Sequence, residues 1–186
     1  MSYTVLLNTL DTLRKEAPRS FKSYHPRKSN QEKLNQARAK AFIHLFLKVR
    51  FGVLEFSVRN ALICDGTQDG GVDAYYIDRG NRVFYLIQSK FRTSEQNFEA
   101  KSIEVSELLK MEVSRISKGE HNDSNGTPFS SKIVALQKEI SEIRDIALYH
   151  WRVVLLANLH RVNDEQVRRL IDNMEYDPTP VWWTRG

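Results

Sequence analysis

The stretch from Asp65 to Phe91 constrains the fold more than any other part of this chain of 186 residues. Two runs rich in β-branched and aromatic residues, Val72 to Ile77 and Val83 to Ile87, flank a turn that carries Gly80-Asn81. Such runs around a Gly/Asn turn predict a β-hairpin. Each run breaks its apolar content with polar residues: Asp73 in the first, Gln88 and Lys90 at the end of the second. Side chains alternate across a strand, so Gln88 and Lys90 share one face and Ser89 points to the other. Antiparallel pairing can bring Asp73 beside them, so that a carboxylate, an amide oxygen and an ammonium meet in one place. That set can seat a divalent metal and a phosphate. The same residues also fit an ordinary hairpin braced by an Asp73–Lys90 pair, and both readings stay open at this point.

Gly70-Gly71-Val72-Asp73, the hairpin, and Gln88-Ser89-Lys90 together resemble the motif pair of the PD-(D/E)xK nuclease superfamily, in the variant with Gln at the acidic position of the last motif. The longer string, from Asp65-Gly66 through Gly71-Val72-Asp73 to Gln88-Ser89-Lys90-Phe91, is similar to the N-terminal domain of abortive-infection phage-resistance (AIPR) proteins. Its Gly-Gly-x-Asp and Gln-x-Lys elements are also similar to restriction nucleases of the Mrr type. The tight match covers 27 of the 186 residues. What the resemblance implies is an α/β, restriction-endonuclease-like fold, a central mixed sheet with flanking helices. It further implies a metal-dependent endonuclease that hydrolyses phosphodiester bonds of DNA, with RNA as the other possible substrate, in anti-phage defence. The alternative is a nuclease-like module that binds nucleic acid or a protein without cutting.

Phosphodiester hydrolysis needs an activated water and charge stabilisation on the phosphate, which a divalent metal supplies. Mg²⁺ (or Mn²⁺) takes oxygen ligands and keeps several waters, so one or two carboxylates suffice. Asp73 is expected as the primary ligand, with the Gln88 side-chain carbonyl and the Ser89 backbone carbonyl as further oxygens. Lys90 is expected to orient or deprotonate the attacking water, or to neutralise charge on the phosphate. Gln88 in place of an acid removes one negative charge and predicts weaker metal binding. Nucleases of this family often take one acidic ligand from the first core helix, which makes Glu32 a candidate and Glu55 a second. Asp65-Gly66 and Asp69-Gly70-Gly71 are read as tight turns, near the metal but explained by turn chemistry.

Charge is uneven along the chain. The first fifty residues hold eleven Lys/Arg against three Asp/Glu, and the remainder seventeen against twenty. A basic quarter of this kind attracts phosphate backbones. Arg19, Lys22, Arg27 and Lys28, in a segment bracketed by Pro18 and Pro26, are the expected nucleic-acid contacts, with Phe21, Tyr24 and His25 either stacking on bases or tucked into the core. No apolar run is long enough to span a membrane and the N-terminus lacks a signal-peptide pattern. The single cysteine, Cys64, excludes an internal disulfide and a multi-Cys zinc site, and suits a cytoplasmic protein.

The remaining periodicities predict a helix over 3–16 and a second from a Ser29–Glu32 capping box to Phe51, stopped by Gly52. His44 falls on the buried side of that helix and is read as a hydrogen-bonded core residue. Residues 53–64 are ambiguous. A long polar helix capped at Thr93 and Gln96 is expected to run to Lys118, another from Thr127-Pro128 to Tyr149, then an interior strand over 151–158 and a last helix near 163–174. The whole is expected to be one nuclease-like domain over residues 1–186, or the N-terminal part of a longer protein. Trp182 and Trp183 are expected in a terminal strand or against a partner, a second copy or a C-terminal domain.

Overall fold

A computed structural model describes residues 2–100 and 111–157. Helix α1 (Tyr3–Leu13) ends in a 3₁₀ turn over Arg14–Glu16. Helix α2 (Gln31–Phe51) stops at Gly52, which takes φ +68° as a left-handed cap. Its N-cap is Asn30, whose Oδ1 accepts from the Lys33 amide at 3.0 Å. The expected capping box therefore does not form. The amide side chain of Asn30 takes the cap one residue later, and Glu32 is left exposed in the first turn, where it accepts from Gln36 at 3.4 Å.

The ambiguous stretch resolves into the short helix α3 (Phe56–Ala61), followed by a bridge from Ile63 to Ala74. Strands β1 (Ala74–Asp78) and β2 (Val83–Lys90) form the expected hairpin, with Ala74 opposite Ile87 and Asp78 opposite Val83. Asp78 closes the turn by accepting from the Asn81 amide at 2.9 Å. Strand β3 (His150–Ala157) lies parallel to β2, Gln88 beside Leu155 and Lys90 beside Ala157. The result is a three-stranded mixed sheet in the order β1-β2-β3, within a mixed α/β architecture.

Helices cover both faces. Leu6 and Leu10 of α1 and Phe42 and Phe46 of α2 pack on Ala74, Tyr85, Ile87 and Val154. The opposite face, with Tyr75, Leu86 and Val153, is closed by α5 (Val113–Ser117) and α6 (Ser131–Ser141) through Ile116, Ile133 and Leu136. Alternation along the strands sorts these residues without exception, which is why the two cores are separate.

Three helix expectations are corrected. After α4 (Glu95–Ala100), where Ser94 rather than Thr93 supplies the hydroxyl for the Asn97 amide, Met111 and Glu112 are not helical. The Glu112 amide is drawn instead to the Gly70 carbonyl at 2.8 Å, so no single helix reaches Lys118. Helix α6 starts three residues later than Pro128, because Pro128 is held in a bridge with Asn122 and Ser130 provides the cap for Ile133. It also ends at Ser141, well before Tyr149; a 3₁₀ turn over Ile146–Leu148 leads into β3. The expected helix near 163–174 and the Trp182-Trp183 pair lie outside the described residues. No helix among the described residues is long and apolar enough to cross a membrane.

Candidate metal and phosphate site

The loop from Asp65 to Asp73 is held by a specific backbone. Gly70 takes φ +63° and Gly71 φ +75°. A Cβ on Gly70 would lie 2.9 Å from the Phe129 ring and 3.0 Å from Ile116, so glycine is required by conformation and by space together. The Asp69 carboxylate closes the loop on itself, accepting from the Gly71 amide at 2.9 Å and the Gly66 amide at 3.1 Å. Outside the loop, the Ser130 amide donates to the Gln68 carbonyl at 2.9 Å. The turn chemistry expected for Asp69 is therefore present.

The same loop gathers acids. Carboxylate oxygens of Asp65, Asp69 and Asp73 lie within 4.8 Å of one another, and this group could hold a metal ion. Neither Glu32 nor Glu55 belongs to it; Glu55 is exposed at the N-cap of α3 and makes no side-chain cap. The signal for Asp65 and Asp69 was present in the sequence as an i, i+4, i+8 row of acids. Their turn roles gave a sufficient local explanation, which hid the shared one.

Asp73 immediately precedes β1. Its amide donates to the Ile87 carbonyl at 2.9 Å, and its Oδ2 accepts from the Ser89 amide at 2.5 Å. Continuing the hairpin register by one residue sets Asp73 opposite Gln88, on the face that also carries Leu86. Gln88 is buried, 5% exposed; Ser89 and Lys90 are half-buried. Burial pushes the Asp73 carboxyl up to about 7, the Ser89 amide pulls it back, and the charges of Asp65 and Asp69 push it up again. Lys90 opposes that push from a distance, and no ion pair within 4.0 Å joins it to Asp73 among the described residues. The bracing Asp73–Lys90 pair is thus not formed. Lys40 of α2 approaches the cluster from the other side, 3.8 Å from Asp65 Oδ2.

The basic segment divides. Lys22 and Arg27 line a groove of about 870 Å³ together with Lys33 and Lys40 of α2. Arg19 lines a neighbouring hollow with Lys15 and Lys22, and the exposed Lys28 lines neither. Tyr24 is buried, as one of the two expectations for the aromatics had it. Its hydroxyl sits 2.8 Å from His44 Nε2 and donates to Asn60 Oδ1 at 3.1 Å. Because Arg59 Nε donates to His44 Nδ1 at 3.2 Å, the His44 proton is on Nε2 and is given to Tyr24. Burial, with Arg59 beside it, lowers His44 to about 3, so it stays neutral, a core histidine with both ring nitrogens hydrogen-bonded.

No family model, curated protein or solved structure matches this chain.

Proposed function

We propose that this protein is a metal-dependent endonuclease acting on the phosphodiester bonds of DNA, with a restriction-endonuclease-like fold. The observation that carries the reading is the gathering of Asp65, Asp69 and Asp73 at the end of the hairpin that also bears Lys90. Three oxygen donors suit a hard cation such as Mg²⁺ or Mn²⁺. Burial first, and the charges of Asp65 and Asp69 after it, raise the Asp73 carboxyl, and a cation at this place would favour its charged form. The motif resemblance and the basic N-terminal quarter support the same reading, as does a mixed sheet with helices on both faces. Anti-phage defence and a cytoplasmic setting extend the proposal on the resemblance and the single cysteine.

A bound Mg²⁺ or Mn²⁺ would supply Lewis acidity toward a phosphoryl oxygen and toward a water. Asp73 would hold it through the carboxylate that the Ser89 amide orients, with Asp65 and Asp69 completing the acidic wall. Gln88 and the Ser89 carbonyl are the further oxygens proposed for it. Lys90 neutralises charge building on the phosphate or takes the proton of the attacking water.

Plasmid cleavage with Mg²⁺ or Mn²⁺ tests this. Asp73→Ala and Lys90→Ala should each abolish cutting while moving Tm by a few degrees, about 1 kcal/mol. Both variants cutting at the wild-type rate would sink the assignment, and both unfolding would return Asp73 and Lys90 to a structural role.

A further inference from the structure

Four cations, Lys22, Arg27, Lys33 and Lys40, line the groove beside α2, and no Asp or Glu lines it. Lys33 and Lys40 stand seven residues apart, on one face of the helix. Lys22, Arg27 and Lys33 have no carboxylate within 4.0 Å among the described residues; Lys40 alone does, and its partner is Asp65. The groove therefore concentrates positive charge along its length and meets the acidic cluster at Lys40. Its outer wall is anchored. Arg14 donates to the Tyr24 carbonyl at 2.8 Å, His25 Nε2 lies 2.9 Å from the Ala17 carbonyl, and the Tyr24 ring is locked by His44 and Asn60. A wall pinned in this way keeps the cations in place before any ligand arrives, which lowers the ordering cost of binding.

The occupant follows from size and chemistry. About 870 Å³ is the volume of a small-ligand pocket, room for a short stretch of one strand. No aromatic side chain lines the groove, so bases are not stacked there; hydroxyls and amides such as Ser29 and Gln36 accompany the cations, a lining suited to phosphates and sugars. We propose that the groove seats one phosphodiester strand by its backbone, along the ~10 Å of helix between Lys33 and Lys40 at ~1.5 Å of rise per residue, and that Lys40 hands the strand on to the acidic cluster. Lys40 is a positioning residue that exchanges Asp65 for a phosphate. Only the step beyond Lys40 rests on the nuclease reading.

The experiment is metal-free binding of labelled oligothymidylate and oligouridylate to the full chain across a salt series, beside a blunt duplex of the same length. Single strands of either sugar should bind more tightly than the duplex. Lys33→Ala and Lys40→Ala should each flatten the log–log salt dependence by about 0.7, and Lys40→Arg should restore it. Lys138→Ala, on the exposed side of α6, is the control and should change nothing. An unchanged slope in the Lys33→Ala/Lys40→Ala double variant, with its melting curve intact, overturns the proposal, and so does preference for the duplex. Strand binding as expected, with no Mg²⁺- or Mn²⁺-dependent cutting of plasmid or of the bound oligonucleotides, retires the nuclease reading and leaves the groove standing. Cleavage that survives the double variant at the wild-type rate does the reverse.

Discussion

Arg59 and the acidic cluster hold charge in opposite ways. The Arg59 side chain is fully buried, yet its guanidinium donates to His44 Nδ1 at 3.2 Å, to the carbonyls of Val53 and Leu54, and to Glu16 Oε2 at 2.5 Å. Glu16 in turn receives Lys48 at 2.6 Å. Burial alone would raise the Glu16 carboxyl, but the hydrogen bonds from Lys48 and Arg59 hold it below its ordinary value. Around Asp73 the sign is reversed: carboxylates face carboxylates, and the nearest ion-paired cation is Lys40 at 3.8 Å from Asp65. One group has its charges satisfied from within and serves the fold by tying α1, α2, α3 and the basic segment together. The other gathers three acids with, among the described residues, a single cation in ion-pair range of one of them. A buried charge is therefore no sign of function by itself; what separates the two regions is whether the chain supplies the counter-charge.

The contrast makes its largest prediction at Arg59. Arg59→Ala leaves the Val53 and Leu54 carbonyls and His44 Nδ1 without their buried donor and takes one of two cations from Glu16, and should cost about 3 kcal/mol, roughly 6–12 °C in Tm for a chain of this length. Arg59→Lys should recover little of it, because an ammonium cannot reproduce the planar fork. A Tm within two degrees of wild type for Arg59→Ala would erase the difference between the two regions.

A smaller effect belongs to Asp73, and its sign is opposite. An unfolded Asp titrates near 3.9, whereas Asp73 in the fold is pushed up to about 7. Across roughly pH 4 to 7 the folded state binds more protons than the unfolded one, so stability falls as pH rises through that window. Asp73→Asn should remove this slope and leave the protein as stable as wild type or more so near pH 7. Urea midpoints at a series of pH values measure it, and Mn²⁺ should reduce the same slope in wild type only. A wild-type midpoint that instead climbs between pH 4 and 7 with Asp73 intact, and is unchanged in Asp73→Asn, would mean that the cluster is not repulsive.

The smallest expected effect sharpens the boundary of the cluster. Glu32→Gln and Glu55→Gln, both exposed and both apart from the three aspartates, should leave Mn²⁺ affinity by calorimetry unchanged and move Tm by less than about 0.5 kcal/mol equivalent. Loss of metal heat in either variant would extend the site to that acid.

The hairpin, the interior strand after Trp151, the buried second half of α2 and the core role of His44 were legible in the sequence, because each rests on a period or a turn that a short window contains. Helix ends were less so. The cap passed from Ser29 to Asn30, and the expected long helix broke where Gly70 captured the Glu112 amide, a partner more than forty residues away.

For the candidate site, residue order alone determined that Gln88 and Lys90 share one strand face, since side chains alternate, and allowed Asp73 to join them; the register that sets Asp73 opposite Gln88 came from the fold. Tertiary structure decided the rest. Only a loop folded tightly over Phe129 and Ile116, with Gly70 and Gly71 at positive φ, turns Asp65 and Asp69 from turn residues into neighbours of Asp73. Only the packing of the Lys22–Asn30 segment against α2 sets Lys33 and Lys40 beside Lys22 and Arg27. The physical reason is range: backbone periodicity acts over a few residues, while a cluster of like charges exists only where the core holds distant segments together against their repulsion.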